Sequence, residues 1–245
     1  MASTNVDDQK TAIRGRIWDL LEQHNAVLDA DVHGRIPNFV GAEAAADRLA
    51  GLPVWQSSHV VKAVPDKAQL AARIRALREN KLVYMAVPRL AKQHPFYLLD
   101  PVTLTVPPEV AATGDGAAQV ARNVGVDELQ AIDLVICGSV AVNRDGVRLG
   151  KGAGYSDLEV ALLQEAGLIG PETTIVTTVH PLQVVDDDLP ETEHDFSVDL
   201  IITPDEIIKC GPPRRPAGLI WEHLTPEKIA AIPTLAARAP GKLRL

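Results

Sequence analysis

The stretch IDLVICGSVAVNRDGVRLGKGAGYSDLEVALLQEAG, residues 132–167, indicates the class of fold that this chain adopts. Its first part, 132–138, is almost wholly apolar and rich in β-branched residues, which predicts a strand buried on both faces of a sheet. A glycine-rich segment follows at 145–157, and a helix at 157–167 ends at a glycine. A buried strand followed by a loop and a helix is typical of α/β proteins with parallel strands.

Outward from this unit, apolar segments alternate with helical segments along most of the chain. Strands are predicted at residues 59–64, 81–88, 102–107, 132–138, 173–179, 197–203 and 217–224. Helices are predicted at residues 8–24, 41–52, 65–80, 116–123, 157–167 and 225–232. This alternation predicts a three-layer α/β/α fold with a mainly parallel open sheet. We expect a single α/β domain over residues 1–245, with an ordered core at 8–232 and flexible ends.

The composition excludes several classes of protein. Lys and Arg number 24 and Asp and Glu number 32, and the resulting net charge of −8 argues against a nucleic-acid partner. No apolar run approaches the roughly 18 residues of a membrane-spanning helix, and the N-terminus lacks the pattern of a signal peptide. The two cysteines, Cys137 and Cys210, cannot build a disulfide framework, and Cys137 is expected to be buried. We expect a cytoplasmic protein whose partner is a small molecule, without a membrane contact.

The first predicted helix carries two cations in an unusual place. Its apolar stripe is formed by Ile13, Ile17, Leu20 and Leu21. Lys10 and Arg14 are four residues apart, so they share a face that lies beside this stripe rather than opposite it. Either they are solvated surface residues or they contact a ligand near the start of the helix. Asp7 or Asp8 is the expected cap of the helix.

The glycine-rich segment is the best candidate for a ligand-binding loop. Gly150, Gly152 and Gly154 alternate at the start of the predicted helix, where backbone amides and the helix dipole favour an anion. Arg148 and Lys151 add two full positive charges. The spacing matches neither the dinucleotide fingerprint nor the Walker phosphate loop, and a purely structural turn would have the same glycines.

Two carboxylates belong to the same hypothesis. Asp157 stands at the helix start, where it could cap the helix or hold Mg²⁺ beside a phosphate. Asp195 lies in an acidic loop before a buried strand, which is ordinary turn chemistry. It could be a second metal ligand only if its loop lies beside residues 145–157 in the fold.

The run DGVRLGKGAGYSD at residues 145–157 resembles the signature R-L-G-x-G-x-G-Y-Y-D of the 5-formyltetrahydrofolate cyclo-ligase (methenyltetrahydrofolate synthetase) family. Three further blocks agree with that family in order and spacing. Residues 10–14 resemble its K-x-x-L-R motif, and residues 83–89 resemble its strand that ends in Pro-Arg. Residues 183–199 resemble its region with Gln, Pro, His/Asn-Asp and Val-Asp. The chain is similar to the divergent branch of synthetase-domain-containing, cyclo-ligase-like proteins.

The resemblance implies a fold, a reaction and a set of site residues. The family has a three-layer cyclo-ligase fold, which phosphosugar isomerases and CoA transferases share, and uses Mg-ATP to cyclise 5-formyltetrahydrofolate to the 5,10-methenyl product. It implies ATP and Mg²⁺ as cofactors, with Asp157 and Asp195 as magnesium ligands and Arg148, Lys151 and Tyr155 as catalytic residues. The implied cofactor-binding residues are Lys10, Arg14, Arg148, Gly150, Lys151, Gly152, Gly154 and Tyr155.

Three departures from the family pattern support a second hypothesis. Ser156 replaces the second tyrosine of the signature, and Leu158 replaces the Arg or similar residue that often follows the aspartate. Lys67 stands where the family usually carries a glutamate that helps to hold the folate, which predicts a reversed charge facing the pterin. The alternative is therefore a non-catalytic or repurposed nucleotide- or folate-binding protein, in another cofactor pathway such as thiamine metabolism.

Overall fold

The computed structural model describes residues 2–241, and for residues 2–5 it describes the backbone alone. Nine helices lie within this part of the chain: α1 Ala2–Gln23, α2 Ala42–Ala50, α3 Pro53–Ser57, α4 Leu70–Arg78, α5 Pro108–Ala111, α6 Gly114–Val120, α7 Tyr155–Glu165, α8 Pro226–Ala231 and α9 Pro233–Arg238. None of them is long and apolar enough to cross a bilayer. The expectation of flexible ends concerns in part residues 1 and 242–245, which lie outside the described residues.

The strands form one large sheet and one small sheet. They are β1 Val60–Ala63, β2 Leu82–Ala86, β3 Phe96–Leu99, β4 Arg122–Val124, β5 Leu134–Cys137, β6 Ala141–Asn143, β7 Arg148–Leu149, β8 Thr174–Thr178, β9 Val184–Val185, β10 Leu200–Ile202 and β11 Ile207–Lys209. The order in the large sheet is β11-β10-β8-β5-β1-β2-β3-β4, and the small sheet has the order β7-β6-β9. The strands from β10 to β2 are parallel, and antiparallel strands flank them on both sides. The prediction of a mainly parallel sheet is confirmed.

Helices cover both faces of the large sheet because its strands are apolar on both sides. In β1, Val61 and Ala63 belong to the core shared with α1, α2, α4 and α6, whereas Val60 belongs to the core shared with α7, α8 and α9. The same alternation occurs in β2, as the two-residue period of a strand requires. Cys137 lies in the second core and is buried, as expected.

Two of the predicted strands are wrong. Residues 102–107 form turns, because Asp100 Oδ1 accepts a hydrogen bond from the amide of Val102 at 3.0 Å and ends the preceding strand β3. Residues 217–224 contain a short 3₁₀ turn, and the last strand is β11. Both segments look like strands because their apolar residues cluster, but no neighbouring strand pairs with them.

Several predicted helix boundaries also differ from the structure. Helix α1 already begins at Ala2, so Asp7 and Asp8 lie within it and do not cap it. The predicted helix 65–80 is a 3₁₀ turn at Lys67–Gln69 followed by α4. The predicted helix 116–123 corresponds to α6, which ends at Val120. The next residues form β4 at the edge of the large sheet.

Candidate functional site

A cavity of about 760 Å³ opens beyond the carboxyl ends of β1 and β2, at the N-terminus of α7. This is where an open α/β sheet is expected to bind its ligand. Of the residues that the structure describes, six cations line the cavity: Lys10, Arg14, Arg89, Arg148, Lys151 and Lys228. Five carboxylates of the same described part also line it: Asp7, Asp66, Asp157, Glu159 and Asp195. The structure thus brings all the predicted site residues to one cavity.

The glycine loop leads into the start of α7 and contacts Arg14 of α1. Two of its glycines have different physical roles. An added Cβ on Gly150 would lie 2.5 Å from the Arg148 guanidinium, so this glycine leaves room for the arginine. Gly152 has φ +100°, which an L-residue adopts only with strain, and its position faces Arg14. Gly152 is therefore required by its backbone conformation and Gly150 by side-chain packing, and the close approach of a ligand to these glycines stays a prediction.

Arg148 is a buried cation of the site, and the sequence did not predict its burial. It lies in β7 with a relative exposure of 4%, and its guanidinium stacks 4.5 Å from the centre of the Phe196 ring. It donates a hydrogen bond to Asp157 Oδ1 at 3.1 Å. Burial lowers the pKa of Arg148, but Asp157 and the other acidic groups nearby outweigh it and the net shift is upward. The Nε of Arg148 is buried without a hydrogen-bond partner, which leaves one donor for a further acceptor.

Helix α1 presents its two cations to the opposite side of the loop. Lys10 Nζ donates to Asp195 Oδ2 at 2.5 Å, and Lys10 is buried. The same carboxylate oxygen accepts hydrogen bonds from the amide and the hydroxyl of Thr192. Arg14 Nε donates to the carbonyl of Gly150 at 2.7 Å. Burial lowers the pKa of Arg14, although Asp195 opposes this shift. Both cations line the cavity, and their contact with a ligand stays a prediction.

A buried ion pair holds α7 against the sheet. Lys62 of β1 and Glu159 of α7 are paired, with relative exposures of 1% and 5%. Removal of either partner from such a pair leaves an unpaired buried charge, which costs about 3–5 kcal/mol. The pair therefore restricts where α7, and with it Asp157, can sit above the strands.

The loop after β1 presents a negative charge to the cavity, whereas the sequence predicted a positive one. The Lys67 side chain points away from the cavity and pairs with Asp29 at 2.8 Å. The residue that faces the cavity is Asp66, whose Oδ1 accepts from Lys151 Nζ at 3.2 Å. The expected exchange of carboxylate for lysine at the ligand is therefore wrong, because the backbone of this loop turns its aspartate inward and its lysine outward.

Arg73 of α4 holds that loop in place. It is fully buried and donates hydrogen bonds to the backbone carbonyls of Val64, Pro65, Asp66 and Ala112. Burial lowers the pKa of Arg73 to about 10, so the side chain stays charged at neutral pH.

Sequence reasoning did not identify two cations of the cavity. Arg89 follows β2 in the Pro-Arg motif and lines the cavity. The motif was interpreted as the end of a strand, and no role was predicted for the Arg89 side chain. Lys228 comes from α8, far along the chain, and its Nζ lies 4.4 Å from the centre of the Tyr155 ring. Only the Pro-Arg motif could have indicated Arg89, and no local pattern indicates Lys228.

The carboxylates of the cavity suit a magnesium ion that also binds oxygen atoms of a substrate. Asp157 and Asp195 both interact electrostatically with Arg14 and with Arg148, so the two carboxylates share one part of the cavity. The described residues contain no group of three or more His, Cys, Asp or Glu side chains suited to a metal ion. A two-carboxylate site fits Mg²⁺, which keeps several waters and binds through one or two carboxylates and substrate phosphates.

The two remaining departures from the signature also lie at the cavity. Ser156 and Leu158 both line it, and Leu158 packs partly against the core beneath α7. Ser156 presents a hydroxyl where the family pattern has a second aromatic ring. Tyr155 is thus the ring that the signature segment itself contributes to the cavity.

The sequence and the fold have counterparts among known proteins. The model of the 5-formyltetrahydrofolate cyclo-ligase family matches residues 6–204, and the chain belongs to that family. It is 39% identical to the mouse methenyltetrahydrofolate synthase domain-containing protein, over 92% of this chain and 62% of that protein. It is 38% identical to the human protein of the same name, over 92% of this chain and 60% of that protein.

A solved structure shows the same fold. The 5,10-methenyltetrahydrofolate synthetase of Aquifex aeolicus superposes with a TM-score of 0.52 at 20% sequence identity, over 83% of this chain and 93% of that one. The chain spans about three fifths of the length of the curated relatives that it matches.

Proposed function

We propose that this protein is a Mg-ATP-dependent ligase that cyclises 5-formyltetrahydrofolate, or a related formamide, to the methenyl product. Membership in a family of cyclo-ligases supports an enzyme of this kind. The observation that carries the proposal is the convergence, in one cavity, of the glycine loop, the α1 cations and the pair Asp157 and Asp195. These groups match what a triphosphate and its magnesium ion require.

Each group would have a defined task. Lys10, Arg14 and Lys151 would neutralise the phosphates, together with the loop amides at the start of α7. Asp157 and Asp195 would hold Mg²⁺, which spreads the charge of the phosphates when bound. Arg148 would stabilise charge on the transferred phosphoryl group, since its position is fixed by Phe196 and Asp157 before the ligand arrives.

The reaction needs activation of a poor leaving group. The formyl oxygen attacks the γ-phosphorus of ATP, the bond to ADP breaks, and an imidate phosphate forms. The neighbouring nitrogen then attacks the activated carbon, the bond from that carbon to oxygen breaks, and the proton lost by the nitrogen ends on the departing inorganic phosphate. Phosphoryl transfer of this kind depends on positioning and charge neutralisation, and it needs no nucleophilic side chain.

The direct test is to incubate the purified protein with Mg-ATP and 5-formyltetrahydrofolate and to record the absorbance of the methenyl product. We expect product that requires ATP and magnesium together. Binding of nucleotide without product from any formylated substrate would instead favour the second candidate, a repurposed nucleotide- or folate-binding protein. Ser156, in place of a second ring beside Tyr155, is the observation on which that candidate rests.

Lys151→Ala should raise the KM for ATP about tenfold or more and leave folding intact. The Lys151 side chain is 44% exposed and its partner Asp66 faces the cavity, so the residue supports no core. The matched control is Lys209→Ala, an exposed lysine on the edge strand β11 that does not line the cavity. Steady-state kinetics and a thermal melt of both variants check this, and equal ATP kinetics in the two would contradict it.

The neighbours Asp66 and Lys67 provide a second comparison. Asp66→Asn should raise the KM for the formamide substrate, because it removes a carboxylate from the cavity, and should not raise the KM for ATP, because it releases Lys151. Lys67→Gln should leave both KM values unchanged, since its side chain faces Asp29. The opposite ranking of the two variants in steady-state kinetics would restore Lys67 as a ligand contact.

A further inference from the structure

The glycine loop has few backbone hydrogen bonds of its own to fix its shape. Within the described part of the chain, the amides of Lys151, Gly152, Ala153 and Gly154 donate to no protein acceptor. Gly152 and Gly154 have φ values of +100° and +68°, a region that glycine enters easily and also leaves easily. Contacts from other elements must therefore hold this loop in one conformation.

Two cations from distant helices contact the carbonyls of the loop. Arg14 Nε of α1 donates to the carbonyl of Gly150 at 2.7 Å, and Lys228 Nζ of α8 donates to the carbonyl of Ala153 at 3.0 Å. In a trans peptide, the carbonyl and the amide of the next residue point in opposite directions. The amide that follows each of these carbonyls therefore points away from the cation and is free to bind an anion.

Lys228 also contacts the residue that begins α7. Its Nζ lies 4.4 Å from the centre of the Tyr155 ring, where the face of the ring attracts a cation. Among the described residues Lys228 forms no ion pair, so its partners are the Ala153 carbonyl and this ring. One side chain thus connects the end of the glycine loop to the start of the helix that follows it.

Helix α8 is itself anchored, which gives Lys228 a defined position. Thr225 caps the helix, and its hydroxyl oxygen accepts a hydrogen bond from the amide of Lys228 at 3.2 Å. Ile229 is buried in the same core as Val160 of α7. Helix α8 lies beyond residues 6–204, so this contact comes from outside the part of the chain that the family model matches.

We infer that Lys228 is a positioning residue, which holds the glycine loop and Tyr155 in the conformation that binds the phosphates of the nucleotide. This inference rests on the proposed function, under which Lys151 and the loop amides contact those phosphates. Lys228 acts through the loop, because its Nζ is directed at the Ala153 carbonyl and the ring face. Without Lys228 the loop would be less ordered before the nucleotide binds, and the cost of ordering it would weaken binding.

The first test measures the order of the loop without any ligand. Trypsin cleaves after Lys151, an exposed residue of the loop, and it cleaves a folded protein where the chain opens locally. Lys228→Met keeps the length of the side chain and removes its charge. We expect cleavage after Lys151, followed by mass spectrometry, to be about fivefold faster or more, because a hydrogen bond from a charged group is lost. The matched control is Lys209→Met, which also removes one trypsin site but lies away from the cavity.

The second test measures nucleotide affinity and turnover. For Lys228→Met we expect the dissociation constant and the KM of ATP to rise roughly tenfold. We expect kcat at saturating ATP to change little, because bound nucleotide orders the loop in the variant as well. Lys228→Arg should restore both slow cleavage and ATP affinity, since a guanidinium can donate to the same carbonyl and stack on the same ring. Thermal melts check that each variant is folded.

The outcomes separate the role of Lys228 from the proposed reaction. Unchanged cleavage after Lys151 would overturn the inference even with a loss of ATP affinity, because Lys228 would then contact the phosphates directly. If the wild type binds ATP, unchanged ATP affinity in Lys228→Met would overturn it as well, whether or not product forms. If the wild type neither binds ATP nor forms product, but Lys228→Met alone is cleaved faster after Lys151, Lys228 positions the loop and the proposed reaction fails.

Discussion

Arg148→Met should lower kcat/KM for the ATP-dependent cyclisation about 10³-fold or more, which is the largest effect that we expect on activity. The substitution removes the cation that Phe196 and Asp157 hold in position at the start of the glycine loop. It should also destabilise the protein by about 2–3 kcal/mol, at the low end for a broken buried pair, because the Asp157 side chain is 20% exposed.

Two further arginine variants separate the effect on catalysis from the effect on stability. Arg148→Lys keeps the charge and should recover most of the stability, but it loses the planar fork and should remain well below wild-type activity. Arg144→Met is the matched control, since Arg144 lies in the turn of the same β6–β7 hairpin with its side chain 56% exposed. Steady-state kinetics and urea unfolding measure both effects. An Arg148→Met enzyme with more than about a tenth of the wild-type kcat/KM would refute the role of Arg148 in phosphoryl transfer.

Arg73→Met should have the largest effect on stability. It leaves the buried carbonyls of Val64 and Ala112 without the donor that Arg73 supplies, which costs about 3–5 kcal/mol in total. For a chain of this size that corresponds to a drop in Tm of about 10 °C. The loop with Asp66 should also lose its fixed position. The KM values for ATP and for the formamide substrate should therefore rise at temperatures where the variant is still folded.

The control for Arg73 lies on the same helix. Arg78 is exposed and, within the part of the chain that the structure describes, forms an ion pair with Glu109 alone, so Arg78→Met should change the Tm little. Thermal unfolding followed by circular dichroism measures both variants. Similar Tm values for Arg73→Met and Arg78→Met would show that the four carbonyl contacts of Arg73 do not stabilise this loop.

Much of the fold was predictable because its signals are local. The apolar runs of β1, β2, β5, β8 and β10 have the composition of strands buried on both faces, and each was found near its predicted place. The wrong strands, 102–107 and 217–224, have a similar composition but no partner in the sheet. Whether an apolar segment becomes a strand depends on a neighbour that the segment itself does not specify.

The candidate site was predictable to the extent that its residues share one motif. Residues 148–157 form a contiguous loop and helix start, so their proximity follows from chain connectivity alone. The sequence could not reveal that Gly150 accommodates Arg148, or that Asp66 and not Lys67 lines the cavity. Those facts depend on backbone torsions and on packing between distant elements.

The sequence by itself determined the class of fold, the glycine loop at the start of α7 and the family, because periodicity and motif spacing are properties of short contiguous segments. Only the tertiary structure decided the electrostatics of the cavity. It pairs Lys10 with Asp195 across 185 positions of the chain and brings Lys228 of α8 onto Tyr155. Among the described residues that line the cavity, cations outnumber carboxylates by six to five in a protein of net charge −8, because the fold, and not the composition, sets which charges lie close together.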